Sequence, residues 1–303
     1  MSAQVVIDGL IAGSMIGLGA VGVTLTYSIL RFANFAHGEF IAWGAYFAFA
    51  VSAGLGFLSG ALTQPIGPFS FGWSLPIAAI LAMALTAALA LVVDAILFGQ
   101  LRARGAAPIV MVMASFGAAL ALRNLLEFIF TSRPEYYTGS LQIAVRLAPG
   151  LRATPDQLLA LALALVLAVA IHLLLTRSAI GRAMRAVSEN PQLAGVVGVD
   201  VRKVVRMVWA LGAGLACAAG IIAGLLVQIR PTMGLDLLLP LFAAAILGGI
   251  GSVPGALMAG LMVGLAESMT VHLIGAQWRA GVGFVILVAI LLVRPQGLFG
   301  RSV

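Results

Sequence analysis

Along most of the chain, apolar residues run on for about 20 positions before polar residues interrupt them, the length that crosses a hydrocarbon core of about 30 Å as α-helix. Such runs fall at 5–30, 40–57, 75–98, 108–130, 156–176, 204–227, 236–250, 254–270 and 277–293. The pattern predicts an all-α, polytopic transmembrane helix bundle of about 8–9 spans, two of which could be re-entrant, forming a single transmembrane domain over residues 1–303. Two breaks are short. NFAHGEF (Asn34 to Phe40) separates the first pair of runs, and GGIGSVPG (Gly248 to Gly255) separates 236–250 from 254–270. Non-helical backbone at membrane depth must be buried in protein or line a wet cavity, so both breaks are candidate pathway elements.

A third interruption is longer. From 182 to 206, across the gap between the run ending at 176 and the one starting at 204, Arg182, Arg185, Arg202, Lys203 and Arg206 gather with Glu189 and Asp200. Inside it, NPQLAGVVG reads as a short helix punctuated at both ends. Asn190 fits the N-cap, Pro191 the first helical position and Gly198 the position just past the end, while Asp200 caps the following span. A helix of about seven residues does not hold by itself, because nucleation costs more than so few hydrogen bonds return. Leu193, Ala194 and Val197 are expected to form one small apolar stripe on it. The stripe either lies against the chain's own bundle or fits a groove in a partner.

Composition sharpens the membrane reading. Hydrophobic residues make up 62% of the chain and charged ones 9%, against roughly 25% charged in a soluble domain. The N-terminus, MSAQVVIDGL, has no positively charged leader region and carries Asp8, so it reads as the approach to a retained first span. Lys and Arg then orient the bundle. With the 177–203 loop inside, 11 of the 17 basic residues (Arg31, Arg102, Arg104, Arg177, Arg182, Arg185, Arg202, Lys203, Arg206, Arg294, Arg301) fall on the cytoplasmic side. The N-terminus is then outside and the C-terminus inside. The net charge of +7 is scattered over loops and forms no face, which argues against nucleic acid as a partner. The 36 glycines supply small-xxx-small pairs at Gly13 and Gly17, Gly220 and Gly224, and Gly260 and Gly264, each able to bring helix backbones together. GALMAGLMVG (255–264) also echoes GLIAGSMIGLGAVG (9–22), which either marks an internal repeat or reflects glycine-rich packing.

Little of the chain suggests covalent chemistry. A phosphate-binding loop needs a lysine after its glycines, and the only lysine, Lys203, follows Arg202 and precedes Val204. His37, His172, His272 and Cys217 show no metal-ligand spacing. Cys217 reads as a small packing residue. Ionisable groups inside spans are costly and therefore candidates for function. Asn34, His37 and Glu39 form the richest group. They either make a cytoplasmic turn, with Glu39 offsetting Arg31, or dip into the bundle, where Asn34 and Glu39 would fix the broken backbone. Arg123 and Glu127 are four apart and are expected to pair along one helix face, with Asn124 beside them. Glu267 is expected near an outer helix end, snorkelling or touching a docking partner. Asp94 and His172 are expected at inner helix ends.

Four motifs in order, NFAHGEF, IGRAMRAVSENPQLAGVVGVD (180–200), AAILGGIGSVPGALMAGLMVGLAES (244–268) and RPQGLFG (294–300), make the chain resemble the permease subunits of branched-chain amino-acid ATP-binding-cassette importers, the LivH type, over nearly its full length. The resemblance implies that 177–203 is a cytoplasmic coupling loop whose short helix inserts into an ATPase subunit, with Arg182, Arg185, Ser188, Glu189, Asn190, Leu193, Ala194, Val197 and Gly198 as its residues. The chain has no literal EAA there, reading Ala186, Val187, Ser188, Glu189, but keeps the later Gly198. It further implies a non-enzymatic translocation subunit of the bacterial inner membrane, carrying branched-chain or other hydrophobic amino acids. Its partners would be a homologous second permease, two cytoplasmic ATPases and an extracytoplasmic binding protein; the chain itself needs no cofactor, since ATP and Mg bind the ATPases. The alternatives are a related permease for urea or short amides, or a self-contained channel or ion-coupled carrier.

Overall fold

The computed structural model describes residues 3–139, 142–148, 150–294 and 296–299. In order, the helices are α1 (Ala3–Leu30), α2 (Ala36–Leu58), α3 (Ser74–Val93), α4 (Gly99–Ala103), α5 (Pro108–Phe130), α6 (Pro155–Arg177), α7 (Ala179–Glu189), α8 (Pro191–Val196), α9 (Val201–Leu226), α10 (Met233–Gly248), α11 (Val253–Leu273) and α12 (Arg279–Val293). A π-helical turn, Asp94–Phe98, joins α3 to α4 in one rod. Among the described residues, eight helical segments are long and apolar enough to span a membrane; the 16-residue α10 is shorter. These match the expected runs. A small antiparallel hairpin, β1 (Val145–Ala148) with β2 (Leu151–Ala153), was not expected; it sits in the loop between α5 and α6.

Local chemistry sets the helix ends. Thr154 accepts from Gln157 N while the Gln157 side chain returns to Thr154 N, a capping box with Pro155 at the first helical position. Ser252 caps α11 by accepting from Gly255 N, and Asp200 caps α9 by accepting from Lys203 N. Between the caps the spanning helices are mostly apolar, with ionisable residues at a few positions such as Glu39, Arg123 and Glu127.

Helices α1 and α9 form the enclosed centre, and α12 lies outermost. Helices in lipid gain little from the hydrophobic effect and associate by close packing. Here, α1 and α11 meet glycine against glycine. A Cβ built on Gly260 would lie 2.2 Å from Gly17 Cα, and one on Gly264 2.3 Å from Gly13 Cα. The two segments that echo one another in sequence are thus the two faces of one interface. Gly220 likewise lets Ile41 O approach to 2.1 Å of where a Cβ would stand, and Gly44 packs on Cys217, which is buried and free of any disulfide.

Helix α2 does not begin where α1 ends. The imidazole of His37 lies against Gly22, eight residues before Leu30. At 1.5 Å per residue that places it about 12 Å back along α1. From Arg31, which takes a positive φ of 58°, the chain folds back into the bundle over 31–35 before α2 starts. The start of α10 meets it there, because Gly38 and Gly234 allow backbone contact: a Cβ on Gly234 would lie 2.1 Å from Gly38 O.

The other loops sort into two faces. Glu135 and Ile229 exchange backbone hydrogen bonds on one, and Asp156 accepts from Ser70 N there. Arg31 donates to Ser188 O on the other, where Leu298 N also donates to Leu247 O at 2.7 Å. This is the alternation that eight long helices and the shorter α10 produce together, within the 8–9 spans expected. The Lys and Arg excess leads us to expect the second face on the cytoplasmic side. Cysteines placed at Tyr136 and Gln192 in a Cys217→Ala background are therefore expected to label from opposite sides, Tyr136→Cys from outside and Gln192→Cys from inside. Labelling of both from one side would overturn the crossing number.

Candidate functional site: a capped knob and a buried polar cluster

The polar island folds as α7 and α8. Asn190 caps α8 by accepting from Gln192 N and Leu193 N, each at 3.0 Å, with Pro191 in the first turn. Gly198 follows the end with φ 89°. This punctuation is as expected; the apolar stripe is not. Ala194 is buried with Met184, Val187, Val204 and Val208 against the end of α1. Leu193 and Val197 point the other way, 60% and 71% exposed, and Val196 joins them at 84%. On so short a helix, adjacent positions lie about 100° apart, so one small residue faces the bundle while its larger neighbours face out.

The charged residues of the island divide in the same manner. Arg182 and Glu189 are exposed. Arg185, expected as part of the coupling face, turns back and donates to Leu175 O at the end of α6, satisfying a terminal carbonyl. Ser188 gives its hydroxyl to Arg185 O at 2.8 Å. Its carbonyl accepts from Arg31, so the knob is tied to the broken connection between α1 and α2.

That connection is the second region. Asn34, His37 and Glu39 are 4%, 1% and 1% exposed, so the segment dips into the bundle and is no surface turn. Asn34 fixes the broken backbone as expected, with its Oδ1 accepting from Ala36 N at 3.1 Å. Ser115 does the rest: it accepts from Phe35 N at 3.1 Å and donates to Val112 O. Nothing in the sequence singled out this lone hydroxyl in an apolar run.

Glu39 neither offsets Arg31 nor holds backbone. It pairs with Arg123 across α2 and α5, Nη2 to Oε1 at 2.8 Å. The expected pairing of Arg123 with Glu127 along α5 is therefore not made. The reason is burial: a lone carboxylate at position 39 would be costly, whereas Glu127 is half-buried and Asn124 exposed. Glu267 is corrected as well. It is 2% exposed, and Arg279 Nε reaches in to it at 2.8 Å, so it neither snorkels nor faces a partner. Asp94 pairs with Arg102 at 2.6 Å at the π-turn.

The second break has the backbone its glycines predict. Gly249 and Gly251 take φ values of 89° and 88°, and Gly251 N donates to Thr24 Oγ1 at 2.6 Å. Of the last motif, Arg294, Gln296 and Gly297 to Phe299 are described, and Gly297 and Leu298 pack on the end of α10; Pro295, Gly300 and the expected inner-side Arg301 lie outside the described residues. On the outer face, a recess of about 570 Å³ is lined by Glu135, Tyr136, Gln142, Asp156 and Gln157 among others. Asp156 stitches its rim, accepting from Ser70 and from Gln142 Nε2. Burial pushes the nearby Tyr137 phenol well above its usual range, and its hydroxyl donates to Ala45 O at 2.9 Å.

Residues 5–291 match a family model described as the branched-chain amino acid transport system / permease component. The chain belongs to this family. The permease is 29% identical to the high-affinity branched-chain amino acid transport system permease protein BraD of Pseudomonas aeruginosa, covering 98% of this chain and 95% of the relative. It is 28% identical to the LivH permease protein of Escherichia coli K12, with the same coverage. A probable LivH of Methanocaldococcus jannaschii is 25% identical over 98% of this chain and 92% of its own. Among solved structures, PsaBC from Streptococcus pneumoniae in complex with Fab matches with a TM-score of 0.48 and 12% identity, covering 95% of this chain and 91% of that one. The permease is thus a multi-pass membrane protein and the translocation component of a transport system.

Proposed function

We propose that this chain is one of two homologous membrane subunits of an ATP-driven importer in the bacterial inner membrane, moving branched-chain or other hydrophobic amino acids. Two cytoplasmic ATPases would hold ATP and Mg²⁺, and an extracytoplasmic protein would deliver substrate to the outer face. The observation that carries this reading is the knob. Leu193, Val196 and Val197 stand exposed on a capped helix that its own bundle holds by only one face. An apolar cluster beyond the spans fits a groove in a soluble motor better than it fits water or lipid.

The geometry also supplies a route for the stroke. Movement of α7 and α8 acts through Ser188 O on Arg31, and from there on the backbone that Ser115 and Asn34 hold at the head of α2. The test is reconstitution. Vesicles holding both permeases and both ATPases, supplied with binding protein, are expected to take up leucine only with internal or external ATP on the motor side. Vesicles holding this chain alone are expected to show neither uptake nor ATP hydrolysis. Gradient-driven uptake by the chain alone would establish the carrier reading instead, and uptake of urea without leucine the amide reading.

A further inference from the structure

The ion pair between α2 and α5 has more capacity than it uses. Arg123 spends Nη2 on Glu39 Oε1, while Arg123 Nε, Glu39 Oε2 and the Tyr46 hydroxyl are buried with no hydrogen-bond partner among the described residues. One helical turn further along α5, Glu127 lies within electrostatic reach of both Glu39 and Tyr46. It enters no ion pair among the described residues. Asn124, between them in sequence, is exposed, with its Nδ2 on Leu120 O. A carboxylate and an amide on the open side of a spanning helix are costly against hydrocarbon, so this side of α5 faces water or protein.

We propose that Glu39, Arg123 and Glu127 form a membrane-embedded site for an amino-acid zwitterion on its way through the importer. The cluster has two carboxylates and one guanidinium. The passing carboxylate takes the free Nε edge of Arg123, and the ammonium takes Glu127 with the unused Glu39 oxygen. Charge-assisted hydrogen bonds of this kind replace the hydration both ends lose in a low-dielectric passage. The substrate's apolar side chain meets the aliphatic and aromatic surface beside Asn124. With substrate bound, three carboxylates share two cations, so each end of the zwitterion has an opposite charge beside it as it crosses. This deepens the importer reading and rests on it; under that reading the second permease supplies the opposite wall.

The test uses the assembled importer with Cys217→Ala. Asn124→Cys and Glu127→Cys are expected to react with a membrane-impermeant, negatively charged methanethiosulfonate, and Phe284→Cys on α12 is not. Leucine is expected to slow labelling at Asn124→Cys at least threefold, while isopentylamine and 4-methylpentanoate, each with one of the two charges, leave it unchanged. Arg123→Gln is expected to keep the labelling but abolish the leucine protection, and Glu127→Gln to lower leucine uptake at least tenfold with the ATPases still assembled. Unreactive cysteines at 124 and 127, or equal protection by all three compounds, would overturn the site even if uptake were normal. So would full uptake by the charge-reversed pair Glu39→Arg with Arg123→Glu, which preserves a structural ion pair but misplaces both ligands. If labelling and protection hold while the unmodified importer takes up no amino acid, the importer reading fails and the site stands.

Discussion

Replacing Leu193 and Val197 together by aspartate is expected to strip the ATPases from the permease and abolish uptake while leaving the isolated bundle as stable as before. Both side chains are exposed in the permease alone, and substitutions at such positions usually change stability by no more than about 0.5 kcal/mol. In a motor groove, the same side chains would each contribute roughly 1.5 to 3 kcal/mol on burial. Losing both, at about 1.4 kcal/mol per factor of ten, weakens docking at least about 100-fold before the cost of two unpaired charges is counted. The neighbouring Ala194 supplies the control. It is 3% exposed and faces the bundle, so Ala194→Asp is expected to lower the melting temperature of the detergent-extracted permease itself. Subunit stoichiometry and melting measured on one preparation separate the two effects. Retained ATPases with normal uptake in the double variant would remove the coupling role from this helix.

The second large effect is expected at Gly260. A Cβ there would stand 2.2 Å from Gly17 Cα and 2.4 Å from Gly17 N, which are backbone atoms and cannot rotate aside. A leucine must therefore push α1 and α11 apart along their whole contact. Overpacking commonly costs about 1–3 kcal/mol where side chains can adjust; against backbone, the expected outcome is loss of the folded permease from detergent extracts. Gly260→Ala is expected to be milder but clearly destabilising. Gly54→Ala, where nothing lies within 4 Å of the new Cβ, is expected to melt like the parent. Wild-type melting of Gly260→Leu would mean that the two helices do not meet in this way.

The cluster around Arg123 illustrates where sequence reasoning loses its grip. Charges four apart on a helix are neighbours by construction, so pairing Arg123 with Glu127 was the local expectation. The pairing made instead spans 84 positions. Desolvation explains the choice: the strongest demand for a counter-charge comes from the most buried carboxylate, and Glu39 is more deeply buried than Glu127. Burial is a property of the packed bundle and cannot be read from spacing. The same holds for α8, whose caps at Asn190 and Gly198 were visible as residue types, while the direction of its stripe was set by which face the end of α1 left open.

What the sequence determined by itself was everything that depends on near neighbours along the chain. Apolar run length fixed the spans, because a backbone in lipid must satisfy its hydrogen bonds within a helix. Caps and glycines at Asn190, Gly198 and Asp200 marked the ends, and the glycine pairs marked which helix faces could come close. Only the tertiary structure decided which faces met: Gly260 on Gly17, Glu39 on Arg123, Arg31 on Ser188. It also decided that α2 starts beside Gly22, well inside the end of α1. Hydropathy reports whether a residue tolerates lipid, not its depth or its partner; those are set when many small surfaces compete to pack, and the residues that win are distant in sequence.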